Sequence, residues 1–262
     1  TASARSSVPS IAELRPVIQP EAHLQRAGEE HWAGRLYMRR LSPYVTRLLL
    51  SAGLSANAVT AVMLPAGLLA ALALTFSGVL PAVAAVLLVQ LQLLLDCCDG
   101  EVARWRKTFS PKGLYLDQLS HYTTEAALAA ALGVRADGGW GSLGGWTALG
   151  LLVAVLILIL KAETHLIGLA RARSGKPVRA EPGAEPPAGT SRLPLREGLR
   201  ILPFLRPFHA VEASLLALAA AIVDSLAGDL VGTRVLVVGL AITAGIAVIG
   251  HLIAVLASDR LR

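Results

Sequence analysis

Long apolar runs separated by short charged segments dominate the pattern of this chain. A helix that crosses a bilayer needs about 20 mostly apolar residues, and six stretches reach or approach that length. The pattern therefore predicts an all-α integral membrane protein with six transmembrane helices. The expected spans run from Asn57 to Phe76, Val79 to Arg104, Gly113 to Val134, Leu143 to Ala170, Phe208 to Ala227 and Leu230 to Ala257.

The segments before the first span differ in pattern. Residues 1–20 are polar and contain proline and serine, which predicts a disordered leader. In residues 21–50, apolar residues recur at helical spacing with arginines between them, which predicts a cytoplasmic amphipathic helix at the membrane interface. A soluble helix packed on the cytoplasmic face is the alternative, and Pro43 is expected to interrupt or restart either helix. Residues 51–262 then form the membrane domain, with a flexible cytoplasmic loop at 175–192.

Composition strengthens the membrane interpretation. Hydrophobic residues make up 54% and charged residues 16% of the 262-residue chain, with a mean hydropathy of +0.60. Aromatic residues are only 5%, which favours packed helices over a barrel with aromatic girdles. The net charge of +6 is distributed over several loops, without the basic stripe that nucleic-acid binding requires. The adjacent Cys97 and Cys98 predict no disulfide.

Lysine and arginine concentrate in the segments expected on one side of the membrane, and this bias sets orientation. It predicts that both termini and the charged end of the second span face the cytoplasm. We expect an integral protein of a bacterial-type cytoplasmic membrane. The basic segments are the Arg35 to Arg47 region, the Arg104 to Lys112 loop, the Arg171 to Arg206 stretch and the terminus with Arg260 and Arg262.

A cluster of acidic residues lies at that charged end. Asp96 and Asp99 are three residues apart, and Asp117 and His121 are four apart, so each pair shares a helix face. Carboxylates on membrane helices are costly, and bound Mg²⁺, Mn²⁺ or Ca²⁺ would offset the cost. With Arg104 able to bind phosphate, the set matches the requirements of phosphoryl transfer on a phosphoanhydride or phosphodiester.

Salt bridges or cation transport would each account for only part of this cluster. Salt bridges with Arg104, Arg106 and Lys107 would explain any single aspartate but not the whole spacing. A divalent-cation transporter would place carboxylates near the midplane of several spans, whereas these lie at a helix end. Phosphoryl transfer therefore accounts best for the set.

The full pattern D-x2-D-G-x2-A-R-x8-G-x3-D-x3-H resembles the signature of the CDP-alcohol phosphotransferase family. It differs only at the last position, where the family has aspartate and this chain has His121. The segment from Asn57 to Thr60 is similar to the family's Asn-x-x-Thr at the start of its first span. The resemblance implies a homodimeric enzyme of phospholipid or related polar-lipid synthesis. Such an enzyme would transfer the substituted phosphate of a CDP-alcohol to a second alcohol and release CMP. CDP-diacylglycerol is the expected donor.

The resemblance also assigns roles to individual residues. Asp96, Asp99 and Asp117 would bind two divalent cations, Mg²⁺ or Mn²⁺. The residues that would form the nucleotide site are Gly100, Ala103, Arg104 and Gly113, with Asn57 and Thr60 close to it.

The histidine at position 121 leaves three interpretations open. In the family the final aspartate acts as a base towards the acceptor hydroxyl, and a neutral imidazole can do the same at neutral pH. Imidazole can also bind a metal, with a preference for Mn²⁺ or Zn²⁺ over Mg²⁺. Alternatively, the base has moved to Glu125 or is lost, in which case the protein is an inactive nucleotide-binding or scaffolding membrane protein.

The acceptor alcohol is the least defined part of the sequence. Lys161, Arg200 and Arg206 would suit a phosphorylated acceptor such as a polyol phosphate. The positive-inside bias predicts the same arginines, so these residues remain candidates for the acceptor site.

Overall fold

The computed structural model describes residues 9–20, 32–175 and 207–257, apart from the side chain of Arg35. In these ranges the chain forms helices and connecting turns with no strand, which confirms the all-α prediction. A π-helical turn at Gly34–Met38 leads into the second helix, and a 3₁₀ turn at Trp140–Ser142 precedes the sixth. The α-helices are α1 (Ile11–Ile18), α2 (Arg39–Ser51), α3 (Ala56–Leu74), α4 (Val79–Arg106), α5 (Pro111–Ala136), α6 (Gly145–Arg173), α7 (Ala210–Ala227) and α8 (Val231–Leu256).

Within the described ranges, five helices are long and apolar enough to cross a membrane. Large apolar side chains such as Leu80, Leu226 and Leu256 remain exposed along them. Such a surface is unfavourable in water and suits contact with lipid. The five candidate spans are α3, α4, α6, α7 and α8.

The sixth expected span, Gly113 to Val134, corresponds to α5. The segment is helical and 26 residues long, but its mean hydropathy is lower than that of the five candidate spans. The reason lies in polar residues distributed along its length, from Lys112 through Asp117 and Glu125 to Arg135. That α5 crosses the membrane therefore remains a prediction.

The prediction of a disordered leader is wrong for residues 11–18, because they form α1. Ser10 and Glu13 make a reciprocal capping box at its start, and such a box satisfies backbone N–H groups that a helix end leaves open. Leu14 and Ile18, four residues apart, are fully buried on one face. Burial of this face stabilises a helix that is too short to persist alone. The polar composition of residues 1–20 gave no indication of this burial.

The amphipathic helix expected over 21–50 is described only from residue 32 onwards. There the chain is helical, and Pro43 lies inside α2 without ending it. Proline has no N–H to donate to the carbonyl oxygen of Arg39, four residues earlier. Gln19 Nε2 donates to that oxygen at 2.9 Å instead. The location of α2 at a membrane interface remains a prediction.

The chain forms two compact units, the first made of Thr1–Leu74 and Leu80–Thr124. In this unit Val59 and Met63 of α3 pack against Leu95 and Cys98 of α4. Helices α3 and α5 approach closely because Gly67 has no side chain, and a Cβ there would overlap Thr124 Oγ1. Thr124 Oγ1 in turn accepts a hydrogen bond from Gln92 Nε2 at 2.9 Å. These contacts fix the relative rotation of α3, α4 and α5.

The second unit comprises Thr75–Val79 and Glu125–Arg262. Helices α5 and α6 meet there at two glycines, since a Cβ on Gly150 would lie 2.7 Å from Gly133 Cα. Arg135 is fully buried and donates to the carbonyl oxygens of Phe76 at 2.7 Å and Gly78 at 3.0 Å. Buried hydrogen bonds of this kind satisfy a charge that would otherwise destabilise the fold.

Candidate functional site

Three polar side chains converge in the first unit, two from α5 and one from α4. His121 Nε2 lies 3.3 Å from Asp96 Oδ1 and 3.2 Å from Asp117 Oδ1. One ligand atom from each of the three residues lies within 4.8 Å of the others. Asp117 and His121 therefore share a face of α5, as their spacing predicts, and meet Asp96 of α4.

Asp99, the fourth residue expected here, is held by a different partner. Its Oδ2 accepts a hydrogen bond of 2.6 Å from Thr60 Oγ1, and Thr60 is buried on α3. The negative charges of Asp96 and Asp117 act on Asp99. Asp99 is thus electrostatically linked to the other two carboxylates, while its orientation depends on Thr60.

The start of α5 is built by residues from two elements. Ser110 Oγ accepts a hydrogen bond from the backbone N–H of Gly113 at 3.0 Å, which caps the helix. The same hydroxyl donates to Asn57 Oδ1 at 3.0 Å. A Cβ on Gly113 would lie 2.7 Å from Asn57 Oδ1, so a side chain at this position would displace Asn57. Two of the expected nucleotide-binding residues are therefore neighbours.

Gly100 and Arg104 are also neighbours, one turn apart on α4. A Cβ on Gly100 would lie 3.2 Å from Arg104 Nη1, so the missing side chain leaves room for the guanidinium. Arg104 Nε donates to the carbonyl oxygen of Ile18 at 2.6 Å. Ala103, by contrast, is buried beside Ala56 and packs where α3 and α4 meet.

The donor atoms in this cluster fit a divalent cation. Asp117 Oδ1 is buried and has no hydrogen bond of acceptable geometry, although His121 Nε2 is 3.2 Å away. A buried carboxylate oxygen with unused lone pairs is costly unless a cation or donor faces it. Two carboxylates with an imidazole suit Mn²⁺, and carboxylates with water suit Mg²⁺.

The residues expected near an acceptor are only partly described. Arg200 and Arg206 lie outside the described residues. Lys161 Nζ forms an ion pair with Glu125 Oε2 at 2.8 Å, and His209 Nδ1 lies 3.5 Å from Glu125 Oε1. The Glu125 carboxylate is therefore already in contact with two basic side chains.

Sequence reasoning overlooked two groups near this cluster. Ser110 has a recognisable signal, because serine before proline at the first helical position is a common helix start. Glu101 has no such signal. It lies between defined positions of the signature, yet it is almost fully buried and accepts hydrogen bonds from Gln19, Ser42 and Thr46.

Helices with lipid-compatible surfaces and a carboxylate–histidine cluster define an α-helical membrane protein with a candidate divalent-cation site. A family model for CDP-alcohol phosphatidyltransferase matches residues 54–195, which is more than half of the chain. The protein belongs to this family, which transfers a phosphate group from a CDP-alcohol to an acceptor and uses divalent metals. No curated protein matches the chain.

Proposed function

We propose that this protein transfers a substituted phosphate from CDP-diacylglycerol to an alcohol acceptor and releases CMP, in phospholipid or related polar-lipid synthesis. The observation that carries the proposal is the meeting of Asp96 and Asp117 with His121 in a chain of this family. Carboxylates, an unused buried oxygen and a nearby arginine are the groups that a nucleoside diphosphate with divalent cations requires.

The proposed reaction is one displacement at phosphorus. The acceptor oxygen forms a bond to the phosphorus that carries the alcohol, and the bond from that phosphorus to the bridging oxygen breaks. CMP leaves with the bridging oxygen, and the acceptor's proton passes to a base on the protein. Two divalent cations held by Asp96, Asp99 and Asp117 would neutralise the pyrophosphate charge. Gly100, Arg104, Gly113, Asn57 and Thr60 would bind and orient the nucleotide.

His121 is the base we propose. Asp96 and Asp117 lie within 3.3 Å of its Nε2 and hold the imidazole at the cluster. Cations bound to these carboxylates would favour the neutral imidazole, which is the form that accepts a proton. Glu125 suits this role less well, because its carboxylate already forms an ion pair with Lys161 and contacts His209. If Nε2 instead binds a cation, the protein should prefer Mn²⁺ to Mg²⁺.

Membrane orientation, assembly and the acceptor complete the proposal. The positive-inside bias supports a cytoplasmic active site with both termini on the same side, and family membership supports a homodimer. Lys161, Arg200 and Arg206 suit a phosphorylated acceptor. A screen of polyol phosphates against unphosphorylated polyols would test this last point, and failure of every phosphorylated acceptor would contradict it.

The decisive experiment measures CMP release from CDP-diacylglycerol by purified protein across an acceptor panel, with and without a chelator. We expect activity that requires Mg²⁺ or Mn²⁺, falls about 100-fold or more in His121→Ala, and is largely retained in His121→Asp. If wild type and both variants are inactive with every acceptor but bind CDP, the protein is a nucleotide-binding scaffold. If none of them binds CDP with any divalent cation, the proposed function is wrong.

A further inference from the structure

Glu101 is a buried carboxylate on α4, the helix that carries the first part of the family signature, but the signature does not define its position. Glu101 is only 1% exposed, and its oxygens accept hydrogen bonds from Ser42 Oγ at 2.6 Å, Thr46 Oγ1 at 2.6 Å and Gln19 Nε2 at 2.8 Å. A carboxylate removed from water is costly unless it is hydrogen-bonded. Ser42 and Thr46 belong to α2, while Gln19 follows α1. We call Gln19, Ser42, Thr46 and Glu101 the Glu101 cluster.

Gln19 links three elements through one amide group. Its Nε2 donates to Glu101 Oε1 on α4 and to the carbonyl oxygen of Arg39 on α2. The second oxygen is the one that Pro43 leaves without its usual helical donor. The Glu101 carboxylate and the Arg39 carbonyl both need a donor, and Gln19 supplies it to each. These two hydrogen bonds fix the end of α1 against α4 and α2.

The orientation of the Arg104 side chain depends on Ile18, the residue just before Gln19. Arg104 Nε donates to the carbonyl oxygen of Ile18 at 2.6 Å. A guanidinium has five N–H donors, and within the described ranges the four on Nη1 and Nη2 have no hydrogen-bond partner. The Ile18 carbonyl therefore restricts the plane of the guanidinium, and Nη1 and Nη2 are the donors that could bind an anion as a pair.

We propose that Glu101 and Gln19 are positioning residues for the candidate nucleotide site. They hold the Ile18 carbonyl at the point where it orients Arg104 for the pyrophosphate of a CDP-alcohol. The inference rests on the proposed function, because it assumes that Arg104 binds that pyrophosphate. Residues 9–19 lie before the segment 54–195 that matches the family, so this support comes from outside the matched region.

The test measures CDP binding to the purified full-length protein in detergent at saturating Mg²⁺, together with two other properties. Mn²⁺ binding, followed by electron paramagnetic resonance, reports on the carboxylates, and hydrogen exchange reports on residues 9–19. The variants are Gln19→Ala, Glu101→Gln and the double variant. Glu13→Gln is the matched control. It makes the same chemical change as Glu101→Gln but lies in α1, where glutamine still supports a capping box.

We expect Gln19→Ala and Glu101→Gln each to raise the dissociation constant of CDP about tenfold, a loss of about 1.4 kcal/mol. The double variant should lose little more than either single variant, because both changes break one linkage. Mn²⁺ binding should stay at the wild-type level, and Glu13→Gln should match wild type throughout. Gln19→Ala preserves the test if Glu101→Gln does not fold.

Two contrary outcomes have different meanings. If the wild type binds CDP and both variants bind it equally well, the inference is wrong, even if residues 9–19 exchange faster, because the Glu101 cluster is then only structural. If the wild type binds no CDP, the proposed function fails and this role of the cluster fails with it.

Discussion

At the scale of single residues, side chains outside the acidic set orient the carboxylates of the candidate site. Asp96, Asp117 and His121 meet as helical spacing predicts, but the partner of Asp99 comes from α3, 39 positions away along the chain. Spacing within one segment shows which residues share a helix face. It does not show which residue of another helix lies opposite, because that depends on how the helices are rotated and packed.

Thr60 provides a test at this scale. Thr60→Val has nearly the same shape but cannot donate to Asp99 Oδ2, so the carboxylate loses the hydrogen bond that orients it. Loss of a partner of this kind lowers metal affinity or activity by about 10- to 100-fold. We expect CMP release by Thr60→Val to fall about tenfold and to need more Mg²⁺. Thr60→Ser, which keeps the hydroxyl, should retain most activity, and equal losses in the two variants would contradict this role.

At the scale of helices, the sequence is more informative about where elements lie than about how they begin and pack. The expected apolar spans coincide with helices of the structure, since hydropathy reports the cost of exposing each residue. Helix α1 was missed because its stability comes from two buried residues and a cap, and these depend on neighbouring elements. Similarly, the cap of α6 comes from a residue in the preceding turn rather than from the helix start itself.

That cap is Asp137, whose carboxylate accepts hydrogen bonds from the backbone N–H groups of Gly144 and Thr147, both at 2.7 Å. Removing a helix cap costs about 1 kcal/mol. We therefore expect Asp137→Ala to lower the thermal midpoint in detergent by a few degrees at pH 7. Asp137→Asn keeps one acceptor oxygen and should fall between the alanine variant and wild type.

The same residue predicts a pH dependence. Desolvation opposes ionisation of Asp137, but hydrogen bonds from Thr147, Gly144 and Trp146 outweigh it and hold its pKa below the usual value. Because the folded pKa is lower than the unfolded one, the stabilisation is complete above the unfolded pKa and is lost as pH falls through the folded pKa. The gap in thermal midpoint between wild type and Asp137→Asn should be constant from about pH 8 to 5 and narrow below about pH 4. A gap independent of pH would contradict this assignment.

The crossing of α5 and α6 gives a further test at the helix scale. A Cβ on Gly150 would meet backbone atoms of Gly133 and Ala129 at 2.7 to 2.8 Å, and backbone cannot move aside as a flexible side chain can. Gly150→Ala should therefore destabilise the protein by about 1 to 3 kcal/mol. Gly145→Ala is the control on the same helix, because nothing lies within 4 Å of its Cβ. We expect thermal unfolding to separate the two, and equal midpoints would show that the helices are not in close contact.

At the scale of the whole molecule, exposed apolar side chains on five helices indicate a membrane protein, while the path of the chain through the membrane depends on α5. Its polar residues lower its hydropathy, yet several of them make ion pairs or hydrogen bonds with the protein. Hydropathy counts these residues as if each faced lipid. Internal pairing lowers that cost, so a helix of this kind can still cross a bilayer.

Cysteine accessibility tests the crossing. In a background with Cys97→Ala and Cys98→Ala, we would place single cysteines by Phe109→Cys before α5 and Gly141→Cys after it. Phe109 is exposed, and nothing lies within 4 Å of a Cβ on Gly141. If α5 spans the membrane with a cytoplasmic start, an impermeant maleimide should label only the cysteine at 141 in intact cells, and both after permeabilisation. The same labelling at both positions in intact cells would place them on one side and rule out the six-span topology.

The amino-acid sequence was enough to predict the helical class, the apolar spans, the family signature and the shared helix face of Asp117 and His121. These properties depend on residue type and on spacing along one segment, which the sequence states directly. The packed structure was needed to show that Thr60 holds Asp99, that Asn57 lies beside Gly113 and that Glu101 joins α4 to α2 and to the end of α1. Each of these contacts joins residues far apart in the chain, and the packing of helices against one another brings them within hydrogen-bond distance or van der Waals contact.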